Sequence, residues 1–242
     1  MIKTSVPLLS SLLLATSLHG ASIINPSFEN GLPVEGGMLF SDIAPAGWVI
    51  WSRMEYTPNV ATSSPDWIHS ALTQMPGATQ GSYFVSLDSY SMQNSEDIAQ
   101  VDSGIRSTVS GLTVGDTYTV SFDSTSYLIS GSYQNNGFLD VYAGAVGATL
   151  VLRDSLTIND LTTYDSNYAV ESSSIGTYSF SFTATATQMD IGFRARLDDP
   201  TDSNLGQFYS VSLDNLQVIP EPSSMALAGA AVIGAVLRRR RI

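Results

Sequence analysis

Residues 117–123 read Thr-Tyr-Thr-Val-Ser-Phe-Asp, and residues 177–183 read Thr-Tyr-Ser-Phe-Ser-Phe-Thr. In both, polar and apolar side chains alternate with a period of two. An extended chain then sets Tyr118, Val120 and Phe122, or Tyr178, Phe180 and Phe182, on one face and hydroxyls on the other. A helix would scatter the same rings around its axis, so the two segments are predicted strands, each with one face in a core. Each follows a glycine, Gly115 or Gly176. The likeness of GDTYTVSF to IGTYSFSF, about 60 residues apart, reads as two equivalent strands, one in each of two sheets.

The same period runs outward from these segments. Further strands are expected at Gly81 to Leu87, Ile98 to Val101, Phe138 to Ala143, Thr149 to Leu152, Met189 to Ala195 and Phe208 to Val218. Turn residues punctuate them: Pro26, Asn30-Gly31, Gly36-Gly37, Gly111, Gly115-Asp116, Asn136-Gly137 and Asp199-Pro200. No window of the body carries sustained helical amphipathicity. Eight or nine antiparallel strands at this spacing predict an all-β protein, a single antiparallel β-sandwich or jelly roll over residues 22–218.

Composition narrows the chemistry. Cysteine is absent, so no disulfide, thiolate nucleophile or zinc–sulfur site exists. Residues 22–218 hold five arginines, Arg53, Arg106, Arg153, Arg194 and Arg196, against 21 acidic residues. Such a body repels a phosphate backbone, which excludes nucleic acid as a partner and favours cations or neutral polymers.

The two ends are of a different kind. Residues 1–21 carry Lys3, an apolar stretch from Val6 to Leu18 and small residues at Gly20 and Ala21, the layout of a secretory signal peptide. At the other end, Met225 to Leu237 gives 13 apolar or small residues, about 20 Å of helix against a hydrocarbon core of about 30 Å. With Ser223 and Ser224 added and the arginines snorkelling, 223–237 is expected to form a short transmembrane helix with Arg238 to Arg241 on the cytoplasmic side. The order Pro220-Glu221-Pro222, short apolar helix, then Arg238, Arg239, Arg240 and Arg241 resembles the PEP-CTERM sorting signal of Gram-negative bacteria, here over 219–242. That resemblance implies export by the Sec machinery, transient inner-membrane anchoring, recognition by a membrane-embedded exosortase, and a place at the cell surface or in an exopolysaccharide or biofilm matrix.

A second resemblance spans the body. Asn25-Pro26-Ser27-Phe28-Glu29-Asn30-Gly31, Gly47-Trp48, Ile98-Ala99-Gln100, Gly111-Leu112, Gly115 to Phe122 and Leu213-Asp214-Asn215-Leu216 follow one another as in galactose-binding-like jelly rolls, carbohydrate-binding modules included. In such modules a structural calcium often ties the first-strand segment to the last strand. The matching positions are Glu29 and Asp214, with Asn25. Calcium accepts carboxylates and carbonyls without needing His or Cys. The alternative is that Glu29 is a turn acid and Asp214 caps a bulge.

For catalysis the inventory is thin. Once the signal has left, His69 is the only histidine and no lysine remains. It falls in the turn-like run Ser64 to Ser70, with no G-x-S-x-G elbow, so a Ser-His-Asp triad is not expected. Two carboxylates would suffice for glycoside hydrolysis, but the sequence singles out no pair. Asp198 to Asn204 departs from an EF-hand spacing. Sugar binding would instead use exposed rings beside hydrogen-bonding side chains. Trp48 is assigned to the core, leaving Trp51, Tyr56, Trp67 and Tyr90 as candidate platforms. Three readings follow: a non-catalytic, exopolysaccharide-associating surface protein, a purely structural surface protein, and a carboxylate-dependent hydrolase.

Overall fold

A computed structural model describes residues 20–30, 44–53, 66–69, 79–93, 98–127, 133–134, 137–158, 175–198 and 207–221. Its strands, in chain order, are β1 (Ser22–Ile23), β2 (Trp48–Arg53), β3 (Asp66–His69), β4 (Tyr83–Gln93), β5 (Ile98–Ser110), β6 (Thr117–Ser124), β7 (Ser126–Tyr127), β8 (Tyr133–Gln134), β9 (Gly137–Ala145), β10 (Val151–Leu156), β11 (Gly176–Thr183), β12 (Gln188–Leu197) and β13 (Gln207–Pro220). Every pairing is antiparallel except the short parallel contact of β8 with β13. Among the described residues no helix is long and apolar enough to cross a membrane; the expected helix at 223–237 and most of the expected signal peptide lie outside them.

Two five-stranded layers emerge. One runs β10-β9-β12-β5-β2 and the other β11-β6-β13-β4-β3. Successive long strands change layer, which is the winding of a jelly roll. Strand β5 joins the two: Ile98 to Asp102 pair with β4, and Ser103 to Ser110 pair with β2 and β12. The layers close on a common apolar core in which Phe193 of β12 meets Phe122 of β6 edge-on at 5.2 Å and Phe180 of β11 at 6.0 Å. Trp48 is buried as expected, 4.9 Å from Phe28.

The segments at 117–123 and 177–183 are not counterparts in opposite sheets. They are β6 and β11, direct antiparallel neighbours in one layer, with Thr117 opposite Thr183 and Phe122 opposite Tyr178. Equal alternation is what neighbours need, because cross-strand pairs share a face. The rings accordingly stack across the pair, Tyr118 on Phe182 at 6.0 Å and Phe122 on Tyr178 at 6.2 Å. A second correction concerns His69, which ends a strand paired with Tyr83 and does not sit in a turn. A third concerns the end of the body: β13 continues past Val218 to Pro220.

Candidate functional site

The outer face of the β10-β9-β12-β5-β2 layer carries an unusual set of side chains. Strand alternation directs Met189, Ile191, Phe193, Ala195 and Leu197 of β12 inward, so Asp190, Gly192, Arg194 and Arg196 face out. Register places Tyr142 of β9 and Arg106 of β5 on either side of Gly192, and Asp140 and Gly104 on either side of Arg194. The β2 ladder slips between Ile50 and Ser52, making Trp51 the extra residue of a bulge. Bulges re-aim side chains, and here Trp51 lies edge-on to Tyr142 at 4.6 Å. Gly192 makes this possible: a Cβ there would fall 3.1 Å from the indole and 2.8 Å from Leu150.

Beside the aromatic pair lies a charged knot. The guanidinium of Arg194 sits over the Tyr142 ring at 5.5 Å and that of Arg196 over Phe138 at 4.8 Å. Asp140 Oδ2 accepts from Arg196 Nε at 2.8 Å and Arg194 Nη2 at 3.1 Å, while Oδ1 accepts from Ser155 Oγ at 2.6 Å and Arg196 Nη2 at 3.2 Å. Burial pushes the Asp140 carboxyl up, but the hydrogen bonds from Arg196, Ser155 and Arg194 outweigh it and hold the group below its ordinary value. Burial in turn pushes the Tyr142 phenol up to about 12, so it stays a donor toward Asp140. Farther along the face, Asp190 accepts from Thr108 Oγ1 at 2.6 Å, with Arg106 at 3.9 Å. Three of the body's five arginines thus meet on a surface rimmed by exposed Val49 and Leu152.

Glu29 and Asp214 are brought together, and by the same turn. Glu29 Oε1 accepts from the backbone N–H groups of Ser82 at 2.8 Å and Tyr83 at 2.7 Å. Asp214 Oδ2 accepts from those of Thr79 at 2.7 Å and Gln80 at 2.9 Å, and its Oδ1 from Asn215 at 2.7 Å. The first segment is also tied to the last strand directly, Leu216 N–H donating to Pro26 O at 2.9 Å. Asn25 serves a different purpose. Its side chain closes the 25–30 turn through Asn30 and Ala46, and its carbonyl accepts from Trp48 Nε1 at 3.1 Å.

Of the other expected platforms, Tyr56 lies outside the described residues, as do the side chains of Trp67 in β3 and Tyr90 in β4. Asp88, pushed up to about 6 by burial against the hydrogen bonds of Ser210 and Ser86, belongs to the opposite layer. Tyr142, Asp140, Arg194, Arg196 and Arg106 were not legible as a site. One signal for them existed, namely two of very few arginines spaced i, i+2 within a single strand.

At the chain's far end, Pro220 and Glu221 are described, while Pro222 and Arg238 to Arg241 are not. Residues 218–241 match the PEP-CTERM protein-sorting motif. No curated protein matches the chain. Similar solved structures include TmCBM61 in complex with β-1,4-galactotriose, at 12% identity over 84% of this chain and 99% of that chain, TM-score 0.47. Another is the K1 cleaved adhesin domain of Lys-gingipain from Porphyromonas gingivalis, at 12% over 81% and 96%, TM-score 0.46. A third is the N-terminal cellulose-binding domain of β-1,4-glucanase C from Cellulomonas fimi, at 18% over 84% and 99%, TM-score 0.38.

Proposed function

We propose that this chain is an exported protein of a Gram-negative cell surface or matrix whose sandwich contacts polysaccharide without cleaving it, through the outer face of the β10-β9-β12-β5-β2 layer. The sorting motif at 218–241 supports the address. Sec export, inner-membrane anchoring and recognition by an exosortase complete that half of the reading. The observation that carries the other half is the placement of Trp51, swung by a β-bulge onto Gly192 and Tyr142 beside Arg194. A pyranose presents a flat C–H face for a ring and a rim of hydroxyls for charged donors and acceptors. Trp51 supplies the first, and Arg194, Arg106 and Asp190 the second.

A glycan array probed with the purified chain tests this. Saturable binding to a polysaccharide class is expected, weakened about tenfold or more in Trp51→Ala while the variant remains folded at the assay temperature. Equal binding by the variant would remove the assigned face, and no binding to any glycan would leave a structural surface protein. Release of reducing sugar from the bound polymer would overturn the non-catalytic reading.

Calcium at Glu29, Asp214 and Asn25 has its own test. The backbone amides of Thr79, Gln80, Ser82, Tyr83 and Asn215 are directed at both oxygens of Asp214 and at Glu29 Oε1, and N–H groups repel cations. We therefore propose that this clamp works by amide donation alone, and that a chelator shifts the melting temperature by less than about 1 °C, whereas losing a real ligand site moves it by several. A larger drop, restored by calcium, would assign the ion to these residues.

A further inference from the structure

We infer that the outer β10-β9-β12-β5-β2 face takes an acidic polysaccharide, with the carboxylate of a uronic acid bound by the guanidinium of Arg106 beside Trp51; the inference rests on reading that face as a polysaccharide contact. Arg106 stands in one rung with Leu152, Tyr142, Gly192 and Val49. It is therefore the next side chain to the glycine against which Trp51 packs, one strand spacing of about 5 Å away. Among the described residues Arg106 makes no hydrogen bond. Its ionic partner there is Asp190, whose Oδ2 lies 3.9 Å from Nη1, beyond hydrogen-bond reach.

The acids around it are already engaged. Asp190 Oδ1 accepts from Thr108 Oγ1 at 2.6 Å and Oδ2 from the Gly147 N–H at 3.2 Å, Asp102 Oδ1 accepts from Ser89 Oγ at 2.6 Å, and Asp140 holds Arg194, Arg196 and Ser155. They also sit low in the face. The side chains of Asp102, Asp140 and Asp190 are 8%, 1% and 7% exposed, those of Arg106 and Arg194 30% and 29%. An arriving polymer thus meets guanidinium N–H groups before it meets a carboxylate oxygen. A sugar hydroxyl would use one such donor, whereas a carboxylate accepts only, is planar, and matches the guanidinium fork with two parallel charge-assisted bonds. The 21 acidic residues of the body repel a polyanion from afar, but physiological salt screens this over about 8 Å, and the pair at Arg106 forms at contact. One unspent guanidinium beside one ring suits a single carboxylate on a stacked sugar, not a row of phosphates.

Titration of the full chain with polygalacturonate, polymannuronate and polyglucuronate, each beside its methyl ester, tests this, with a neutral galactan and a sulfated galactan as further arms. Esterification keeps the sugar and removes the charge. At least one polyuronate is expected to bind about tenfold or more tighter than its ester, and in Arg106→Gln that ratio should fall to about one. Arg106→Lys, which keeps the charge and loses the fork, should give a ratio between the two. The ratio is read within each variant, so a general weakening of the face does not imitate the result. Acid and ester bound alike, or a preference that survives Arg106→Gln, would overturn the inference. Sulfated galactan bound as tightly as the best polyuronate would show that the face reads charge alone, and the carboxylate assignment would fall. Galactan bound through Trp51 with no polyuronate preferred would sink this inference and leave the polysaccharide reading standing, whereas no binding to any of these polymers, or to the glycan array, would remove both.

Discussion

Replacing Asp140 by alanine is expected to destabilise the protein by about 3 kcal/mol, more than removing either of its arginine partners. The reason is asymmetry. Asp140 is 1% exposed in its side chain, whereas Arg194 and Arg196 are each about 30% exposed, at 29% and 30%. Losing an arginine leaves Asp140 with the other arginine, Ser155 and Tyr142. Losing Asp140 leaves two guanidiniums side by side over Tyr142 and Phe138; among the described residues Asp102 is the other carboxylate paired with them, 3.9 Å from Arg194 Nε. Water reaches part of each arginine, which keeps the figure at the lower end of what breaking a buried pair costs.

The pH dependence follows with a definite sign. Because the folded-state pKa of Asp140 is lowered, its contribution is complete above the ordinary carboxylate range near 4 and is lost as pH falls below it. Denaturant melts at pH 7 and pH 3 should therefore separate wild type from Asp140→Ala more widely at the first than at the second. A gap below about 1 kcal/mol at pH 7 would mean that the knot adds nothing net. Since Arg194 stands beside Tyr142, the substitution should also weaken glycan binding wherever Trp51→Ala does.

How much of this was legible in the sequence depends on which face a residue occupies. Where one face is apolar and the other hydroxylated, as at Tyr118-Val120-Phe122 or Phe180-Phe182, the period of two gave both the strand and its inward face. What it could not give was partnership, since any two alternating strands look alike whether they are neighbours or lie in opposite layers. Strand β5 was seen only as far as Val101. Beyond it, Asp102, Gly104 and Arg106 face outward while Ser103 and Ser107 are buried, so both faces carry polar residues. The charged face was hidden for a related reason. Asp140 lies 54 residues from Arg194 and 56 from Arg196 along the chain, and the register of β9 with β12 sets it opposite the first and one rung pair from the second. The Trp51 bulge has no sequence signature. By contrast, Glu29 and Asp214 were picked out through the order of weak motifs around them, and they do share a turn.

That shared turn supports the second large effect, Gly81→Ala, expected to destabilise by about 2–4 kcal/mol. Two separate costs act. Gly81 has φ +79°, where a Cβ alone costs about 1–2 kcal/mol. The added Cβ would also overlap the Glu29 carboxylate and push it off the Ser82 and Tyr83 amides, losing bonds to a charged group worth about 1.5–3 kcal/mol each, part of which water restores. Alanine at Gly115, φ +92°, or Gly147, φ +75°, pays only the first cost, because nothing lies within 4 Å of the new Cβ at either position. Melting the three variants side by side separates strain from displacement. If overlap with Glu29 is the cause, Gly81→Ala should cost clearly less in a Glu29→Ala background than in wild type, a non-additive result that backbone strain cannot produce. Equal losses in both backgrounds, or a Gly81→Ala loss no greater than that of Gly115→Ala, would show that the clamp between the first segment and the 79–83 turn does not hold the fold.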